Sequence, residues 1–520
     1  MKRRSFLKGM EGAAAGTVMG GVSPTVANTG QGEGSTPIKN VLFLFVDQQR
    51  QDCIGSYGNN IVKTPNLDRL ANSGVRFTNC YTPAPVCTPA RMSAQCGLWA
   101  HNHKMLFNTG NARHKGGQDD PDSGVRFFSE DLKDKGWNLS HVGKWHVGTE
   151  KTKPSTRGYD DLPFYPGYGV PNYIYGYKRN PRLHPHYEEY LKQLGLDGFN
   201  ITDMKNPDGT LFSGLQEGPK EASIPYYLAN QTIDEIKKHS QDDSPFFISC
   251  HFWGPHAPYC VPEPYHTMYN AADIEPWLDF DCDLSDKPQV LRRYGDYLGT
   301  DWFNRKNISR LIGEYYGYIT LIDDEIGRIL DTLEAEGKLE ETLIVYSADH
   351  GSSVGSYRLW DKGYGMYDNF TRVPLIASHP SFKPAVNDSY VTLLDLPATF
   401  LEAGGLGSGH MDGSSLMPLL TGRKERLRED HIVTEHHGHH CPFWQRMVRT
   451  DSGKFIFNYT ATHEFYDLEN DPHETKNLID TVSSQTLKPY EDMLINWMDE
   501  TKDPFSGWAK NGLMDDVHPY

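Results

Sequence analysis

Beyond residue 27 the sequence contains no run approaching the roughly 18 uninterrupted apolar residues that a membrane-crossing helix requires, so integral membrane association is not expected. The eight cysteines, at 53, 80, 87, 96, 250, 260, 282 and 441, show no Cys-x-x-Cys spacing. That pattern argues against a zinc ribbon and against a small disulfide-stapled scaffold. No segment repeats, which excludes a solenoid or propeller. Positive charge is the scarcer sign, with 51 Lys and Arg against 68 Asp and Glu and a net charge of -17. Residues 1–27 hold four basic residues and one acidic one, so the remainder carries -20. Nucleic acid and anionic membrane surfaces are therefore excluded as general partners, and an anionic substrate needs a local basic pocket.

What is present points to a large globular body. A chain of 520 residues, 38% hydrophobic and 12% aromatic, exceeds one ordinary domain and implies a large domain with a smaller one. The start reads Lys2-Arg3-Arg4-Ser5-Phe6-Leu7-Lys8, then a weakly apolar stretch to Val22, then Thr25-Val26-Ala27. This order predicts a twin-arginine-type export signal over 1–27 with a linker at 28–37, and hence a periplasmic or secreted protein. Val41–Val46 and Thr342–Ser347 are continuous apolar runs, the mark of strands buried on both faces. Helical spacing recurs at Ala229, Ile233 and Ile236, and again from Ile319 to Leu333. Strands alternating with amphipathic helices predict an α/β sandwich with a mostly parallel sheet. The Tyr-, Gly- and Pro-rich stretch from Ser155 to Pro219 reads as long surface loops. After the helix-like Leu393–Ala403, a Gly/Ser stretch to Ser415 marks a break. We expect a main domain over 38–425 and a smaller α+β domain over 426–520, with strand-like runs such as Gly453–Tyr459.

Several residues are chemically suggestive. Asp47 and Asp349 each follow a buried strand, and in open α/β sheets ligands gather at such carboxyl ends. Singly, each reads better as a helix cap or turn residue. With Gln48 and His350 they make an oxygen-rich donor set suited to Ca²⁺ or Mg²⁺. In Leu139–Gly148, an extended backbone turns Lys144 and His146 to one face. His256 sits between prolines in Trp253-Gly254-Pro255-His256-Ala257-Pro258, a stiff loop, and Lys362 follows Asp349-His350 closely enough to return to the same rim. The cluster Glu435-His436-His437-Gly438-His439-His440-Cys441 lacks helical zinc-ligand spacing and reads as a polar loop. His436 and His437 are candidates to line a substrate cleft.

Cys87-Thr88-Pro89-Ala90-Arg91 resembles the Cys-x-Pro-x-Arg maturation motif of formylglycine-dependent sulfatases, members of the alkaline phosphatase superfamily, and Val142–Gly148 resembles their second signature. The remaining elements follow in the family's order: Asp47 first, then these two, the Pro-His-x-Pro loop, Ser347-Ala348-Asp349-His350-Gly351, and a Lys-Gly before Arg372-Val373-Pro374. A late echo lies in Phe465–Pro472. The resemblance implies an alkaline-phosphatase-like α/β sandwich with a smaller C-terminal domain carrying an antiparallel sheet. It implies that a maturating enzyme oxidises Cys87 to formylglycine (3-oxoalanine), whose hydrated aldehyde is the nucleophile. Asp47, Asp349 and His350 are then ligands of Ca²⁺, or of Mg²⁺, that also touches residue 87. Lys144, His146, His256 and Lys362 surround the sulfate, and Arg91 steadies the formylglycine.

The chain departs from the family at three points. Gln48 stands where many members carry a second Asp, and either supplies an amide oxygen or drops out. Ala90 replaces the commoner Ser, and His350 stands where Asn is also common. His256 and His146 both qualify as the acid for the leaving oxygen. Together these residues predict hydrolysis of sulfate esters, on a sulfated polysaccharide or oligosaccharide given the export signal and aromatic loops. The alternatives are a phosphonate monoesterase or phosphodiesterase of the same superfamily, and a non-catalytic glycan-binding protein.

Overall fold

The computed structural model describes residues 37–110, 116–162, 164–165, 185–196, 198, 200–205, 209, 211–298, 302–428 and 430–514. The expected export signal and the linker up to residue 36 lie outside the described residues. Thr36–Tyr520 forms one compact unit.

Eight strands make its central sheet: β1 (Asn40–Val46), β2 (Val75–Phe77), β3 (Asn138–Lys144), β4 (Phe164–Tyr165), β5 (Phe246–His251), β6 (Thr342–Ala348), β7 (Leu375–Ser378) and β8 (Ala385–Asn387). Their order is β8-β2-β7-β6-β1-β5-β3-β4, and every pairing is parallel except those of β7 with β6 and β2. The two runs predicted as doubly buried strands are β1 and β6, side by side at the centre and wholly buried. A parallel sheet needs cover on both faces. On one, Phe43 and Phe247 pack against Phe400 of the helix Asp395–Ala403. On the other, Cys250, one residue out of phase with His251, meets Thr232 in a helix over Ile224–His239, which packs in turn on the long helix Arg305–Ala335. Both helices carry the apolar stripes read from the sequence.

The stretch from Ser155 to Pro219 is more ordered than expected. It contains a helix over Pro185–Gln193 and a hairpin of Ile201–Lys205 with Leu211–Gln216, which pairs onward with Tyr259–Val261. The third strand comes from 43 residues beyond the hairpin, so no local pattern announced the sheet.

A four-stranded antiparallel sheet follows: β9 (His431–Gly438), β10 (Pro442–Thr450), β11 (Gly453–Asn458) and β12 (Glu464–Asp467), in that order. Side chains alternate across it. Val433, Val448 and Phe455 pack with Leu494 and Met498 of the helix Ser484–Glu500, whereas Ile432, Met447, Ile456 and Tyr466 pack with Tyr367 and Tyr390 of the main body. The segment Glu435–Gly438, expected as loop, is therefore strand. Ile432, Val433 and Thr434 lead into it with β-branched residues, and the pairing partner β10 satisfies its backbone.

Buried charges pin this sheet to His101 of the body and to the segment after the helix Ser484–Glu500. His101 Nδ1 lies 2.9 Å from Glu435 Oε2, which also meets His437 Nε2 at 2.9 Å, and Arg446 Nε donates to Asp503 Oδ2 at 2.6 Å. Burial opposes both charges of the first pair, but their mutual attraction wins: His101 is held above its usual 6.5 and Glu435 well below its usual 4.5. The carboxylate's contribution is complete above pH 4.5 and lost as pH falls through the depressed value. The imidazole's is complete below 6.5 and lost as pH rises through the raised value. His101→Gln should therefore lower stability by about 3–5 kcal/mol, the cost of breaking a buried pair. Thermal unfolding across pH should give the largest deficit between 4.5 and 6.5, shrinking at higher pH.

Candidate active site

Parallel register brings Val46 beside Ala348, so the next residues, Asp47 and Asp349, emerge together at the carboxyl edge of β1 and β6. Both are fully buried. Gln48 turns the chain away with φ 62°, and its N–H donates to Asp349 Oδ1 at 3.0 Å. The helix Cys87–Cys96 starts against this edge, with Cys87 at its first turn and Arg91 one turn later on the same face. Arg91 donates through Nε to Asp349 Oδ2 at 2.8 Å and through Nη2 to Asp47 Oδ2 at 3.0 Å. One guanidinium thus spans both carboxylates, while Asp349 Oδ1 accepts from the Gln48 and His350 N–H groups. Cys87 Sγ lies 3.2 Å from His350 Nε2 and 3.9 Å from Asp47 Oδ1. One potential ligand atom from each of Asp47, Cys87, Asp349 and His350 falls within 4.8 Å of the others.

The remaining residues singled out in the sequence close around this group. Lys144 Nζ donates to Asp47 Oδ2 and lies 4.2 Å from the Trp253 ring centre. Lys362 Nζ donates to Asp361 Oδ1 at 3.1 Å and Gln48 Oε1 at 3.3 Å, and lies 3.0 Å from His256 Nε2. His256 is half-buried, its Nδ1 2.6 Å from the Ala257 carbonyl. His146 contacts Cys87, but not by the strand alternation expected. The strand ends at Lys144 and His146 takes φ 53°, so a tight turn, not a shared face, aims both inward. Gly143 permits the approach: at φ +96°, a Cβ there would lie 2.1 Å from the His251 carbonyl oxygen.

The electrostatics follow from three buried cations around two buried anions. Burial alone raises the Cys87 thiol, yet Lys144, Lys362 and His350 together hold it well below its ordinary value. Burial and the Cys87 charge push Asp47 up, but Lys144 and Arg91 outweigh them and bring it down to about 2. Burial and the neighbouring Asp47 raise Asp349. His350 is held at about 9, because Asp349 and Cys87 overcome its burial. Burial lowers His146 to about 4, leaving it neutral at pH 7. Position 87 is thus poised to hold an anion.

This donor set fits a hard divalent cation. It offers two carboxylate oxygens and one imidazole, while the Gln48 amide oxygen accepts from Lys362 Nζ, and His350 Nδ1 lies 2.8 Å from the Gly351 carbonyl, an arrangement that turns Nε2 toward residue 87. A cation there would also relieve the repulsion that raises Asp349.

His436 and His437 lie elsewhere in detail. Both are buried on β9, His436 Nδ1 3.0 Å from Gln445 Oε1 and His437 on Glu435. It is His439 and His440, just beyond the strand, that come within 4.8 Å of Asp361. Sequence reasoning missed Trp253, three residues before His256, and Asp361, which adjoins Lys362, and missed Ser352, which accepts from Gln48 Nε2 at 3.0 Å.

Because Arg91 balances two buried carboxylates, Arg91→Met should destabilise the metal-free protein by ~3 kcal/mol or more, read as a lower urea midpoint. Arg91→Lys, which cannot fork to both, should fall between.

The family model described as Sulfatase matches residues 39–406, and that described as N-sulphoglucosamine sulphohydrolase, C-terminal, matches 355–500. An uncharacterized sulfatase, YidJ, of Escherichia coli is 26% identical over 494 residues, covering 92% of this chain and 91% of its own. An N-acetylglucosamine-6-O-sulfatase of Bacteroides thetaiotaomicron is 24% identical over 84% of this chain and 82% of its own. In fold, the crystal structure of the phosphonate monoester hydrolase of Agrobacterium radiobacter superposes with a TM-score of 0.74 at 22% identity, over 89% of this chain and 96% of its own.

Proposed function

The chain belongs to the sulfatase family of sulfuric ester hydrolases, and we propose that it removes sulfate from a carbohydrate after export, with residue 87 matured to formylglycine beside a bound Ca²⁺. The observation that carries this reading is the convergence of Cys87, two strand-end carboxylates and His350 under three buried cations. A sulfated sugar is supported by the relative named as an N-acetylglucosamine-6-O-sulfatase and by the aromatic surroundings of the site. When bound, the cation would lower the pKa of an adjacent hydroxyl and polarise a sulfuryl oxygen, and the formylglycine would supply that hydroxyl. Asp47, Asp349, His350 and the Gln48 amide oxygen would hold the cation.

The chain's own groups do the rest. Lys144 and Lys362 flank the position where the sulfuryl oxygens would lie, and the field that lowers the Cys87 thiol would stabilise negative charge spreading over them. Arg91 keeps the carboxylates ionised and oriented without facing the substrate. His146, neutral at pH 7, accepts a proton beside residue 87. His256, half-buried and joined to Lys362, is our assignment for the acid that protonates the leaving oxygen.

Cys87→Ala should reduce sulfate release by at least ~1,000-fold while leaving the unfolding midpoint within a degree or two of the parent, since it removes a reacting group from an already buried position. A hydrazide reagent should label residue 87 in active protein and not in the variant. Chelation should abolish activity, with Ca²⁺ restoring it more fully than Mg²⁺. Phosphonate or phosphodiester cleavage on the same framework is the second reading, prompted by the fold likeness. Assayed in parallel, sulfate release should dominate; phosphodiester cleavage faster by orders of magnitude would overturn the assignment. A purely glycan-binding role would show no turnover with any ester.

A further inference from the structure

A cavity of about 480 Å³ opens beside the candidate active site, between the helix Gln289–Leu298 and the turn joining β9 to β10. Its volume falls within the ~300–1,000 Å³ of small-ligand sites. It is tied directly to the site: the Tyr294 hydroxyl donates to the Lys362 carbonyl at 2.5 Å and lies 3.3 Å from His440 Nε2, and His440 in turn approaches Asp361, the partner of Lys362. The walls are aromatic. Tyr294 meets Tyr364 edge-on at 5.1 Å between ring centres, and Tyr297, 71% exposed, lies 5.5 Å from the His440 ring. Arg293 is exposed, immediately precedes Tyr294 and lies one helical turn before Tyr297, and it makes no ion pair among the described residues. Among the described residues no carboxylate lines the cavity, although the chain carries a net charge of -17.

An exposed aromatic face binds the apolar face of a sugar ring, and an uncompensated guanidinium binds an oxyanion, bidentately where it can. A site that joins both to the reacting centre through one hydrogen-bonded tyrosine is suited to the part of a substrate that departs. We propose that this cavity is the leaving-group subsite, that it takes a saccharide stacked on Tyr297, and that Arg293 selects substrates whose adjoining sugar carries an anionic group, a carboxylate or a second sulfate. This rests on the sulfate-ester reading above and adds to it the class of oligosaccharide. The acidic exterior repels polyanions in general, so Arg293 concentrates selection at one point. Cys441, exposed on the cavity wall, reports occupancy without turnover.

Two measurements test this. In the first, mature enzyme is assayed on p-nitrophenyl sulfate, on a disaccharide of uronate and 6-O-sulfated N-acetylglucosamine, on its carboxyl-reduced counterpart, and on that counterpart bearing a second sulfate. Arg293→Ala should raise KM at least ~10-fold for the carboxylated or the doubly sulfated disaccharide, whichever supplies the anion, with kcat unchanged. Activity on the aryl sulfate and on the carboxyl-reduced sugar should stay within ~2-fold, and Arg293→Lys should recover part of the loss. Tyr297→Ala should weaken all the disaccharides and spare the aryl sulfate. In the second, the Cys87→Ala protein is treated with iodoacetamide, and either anionic disaccharide should slow alkylation of Cys441 where p-nitrophenyl sulfate does not. Equal effects of Arg293→Ala on all four substrates, or equal Cys441 alkylation with and without the disaccharides, would overturn the subsite. Failure of mature enzyme to release sulfate from any ester would overturn the proposed function instead, and the alkylation result would still decide the subsite.

Discussion

Asp47 and Asp349 lie fully buried at the ends of adjacent parallel strands, and neither can remain charged there without compensation. Arg91 provides it by forking to one oxygen of each. Much else follows from this arrangement. The helix carrying Arg91 must run against the strand ends, which seats Cys87 at its start beside Asp47 Oδ1 and His350 Nε2. Lys144 is drawn onto Asp47, and the turn after β3 that delivers it also delivers His146. The result is a compact anion-holding pocket inside a protein of strongly acidic composition.

The smaller antiparallel sheet is fastened by the same kind of interaction. Glu435 on β9 is held between His101 of the main body and His437, while Arg446 on β10 engages Asp503. Because β9 is anchored, the turn after it is fixed too, and His439 and His440 arrive beside Asp361 at the rim. The ionic cluster in the body of the sheet thus positions the turn that brings both histidines to Asp361 and places His440 on the wall of the adjoining cavity. The histidine-rich segment serves two purposes: the residues on the strand hold the sheet, and those past its end reach the site.

Much of the fold was legible because its signals are local. Two unbroken apolar runs marked β1 and β6, the Ile stripe marked the helix Arg305–Ala335, and the carboxylates terminating the two runs marked the edge that carries the candidate site. Legibility ended where conformation depended on distant partners. An ordinary alternation argument for Lys144 and His146 failed because the strand stops between them. Glu435–Gly438 read as loop because its polarity suits one, whereas its burial depends on charges contributed by residues 101 and 446. The sheet containing Leu211–Gln216 needed Tyr259–Val261 to exist at all.

By itself the sequence determined the family, the mostly parallel α/β framework and the residues that gather at residue 87, because each is written in short motifs or in periodicity that neighbouring residues enforce. Tertiary structure alone decided that Arg91 faces inward onto two carboxylates, that His439 and His440 rather than His436 and His437 approach Asp361, and that Arg293 and Tyr297 open onto the same cavity. Those facts depend on which distant segments come to lie side by side. Packing of the core sets that, and no stretch of chain encodes it locally.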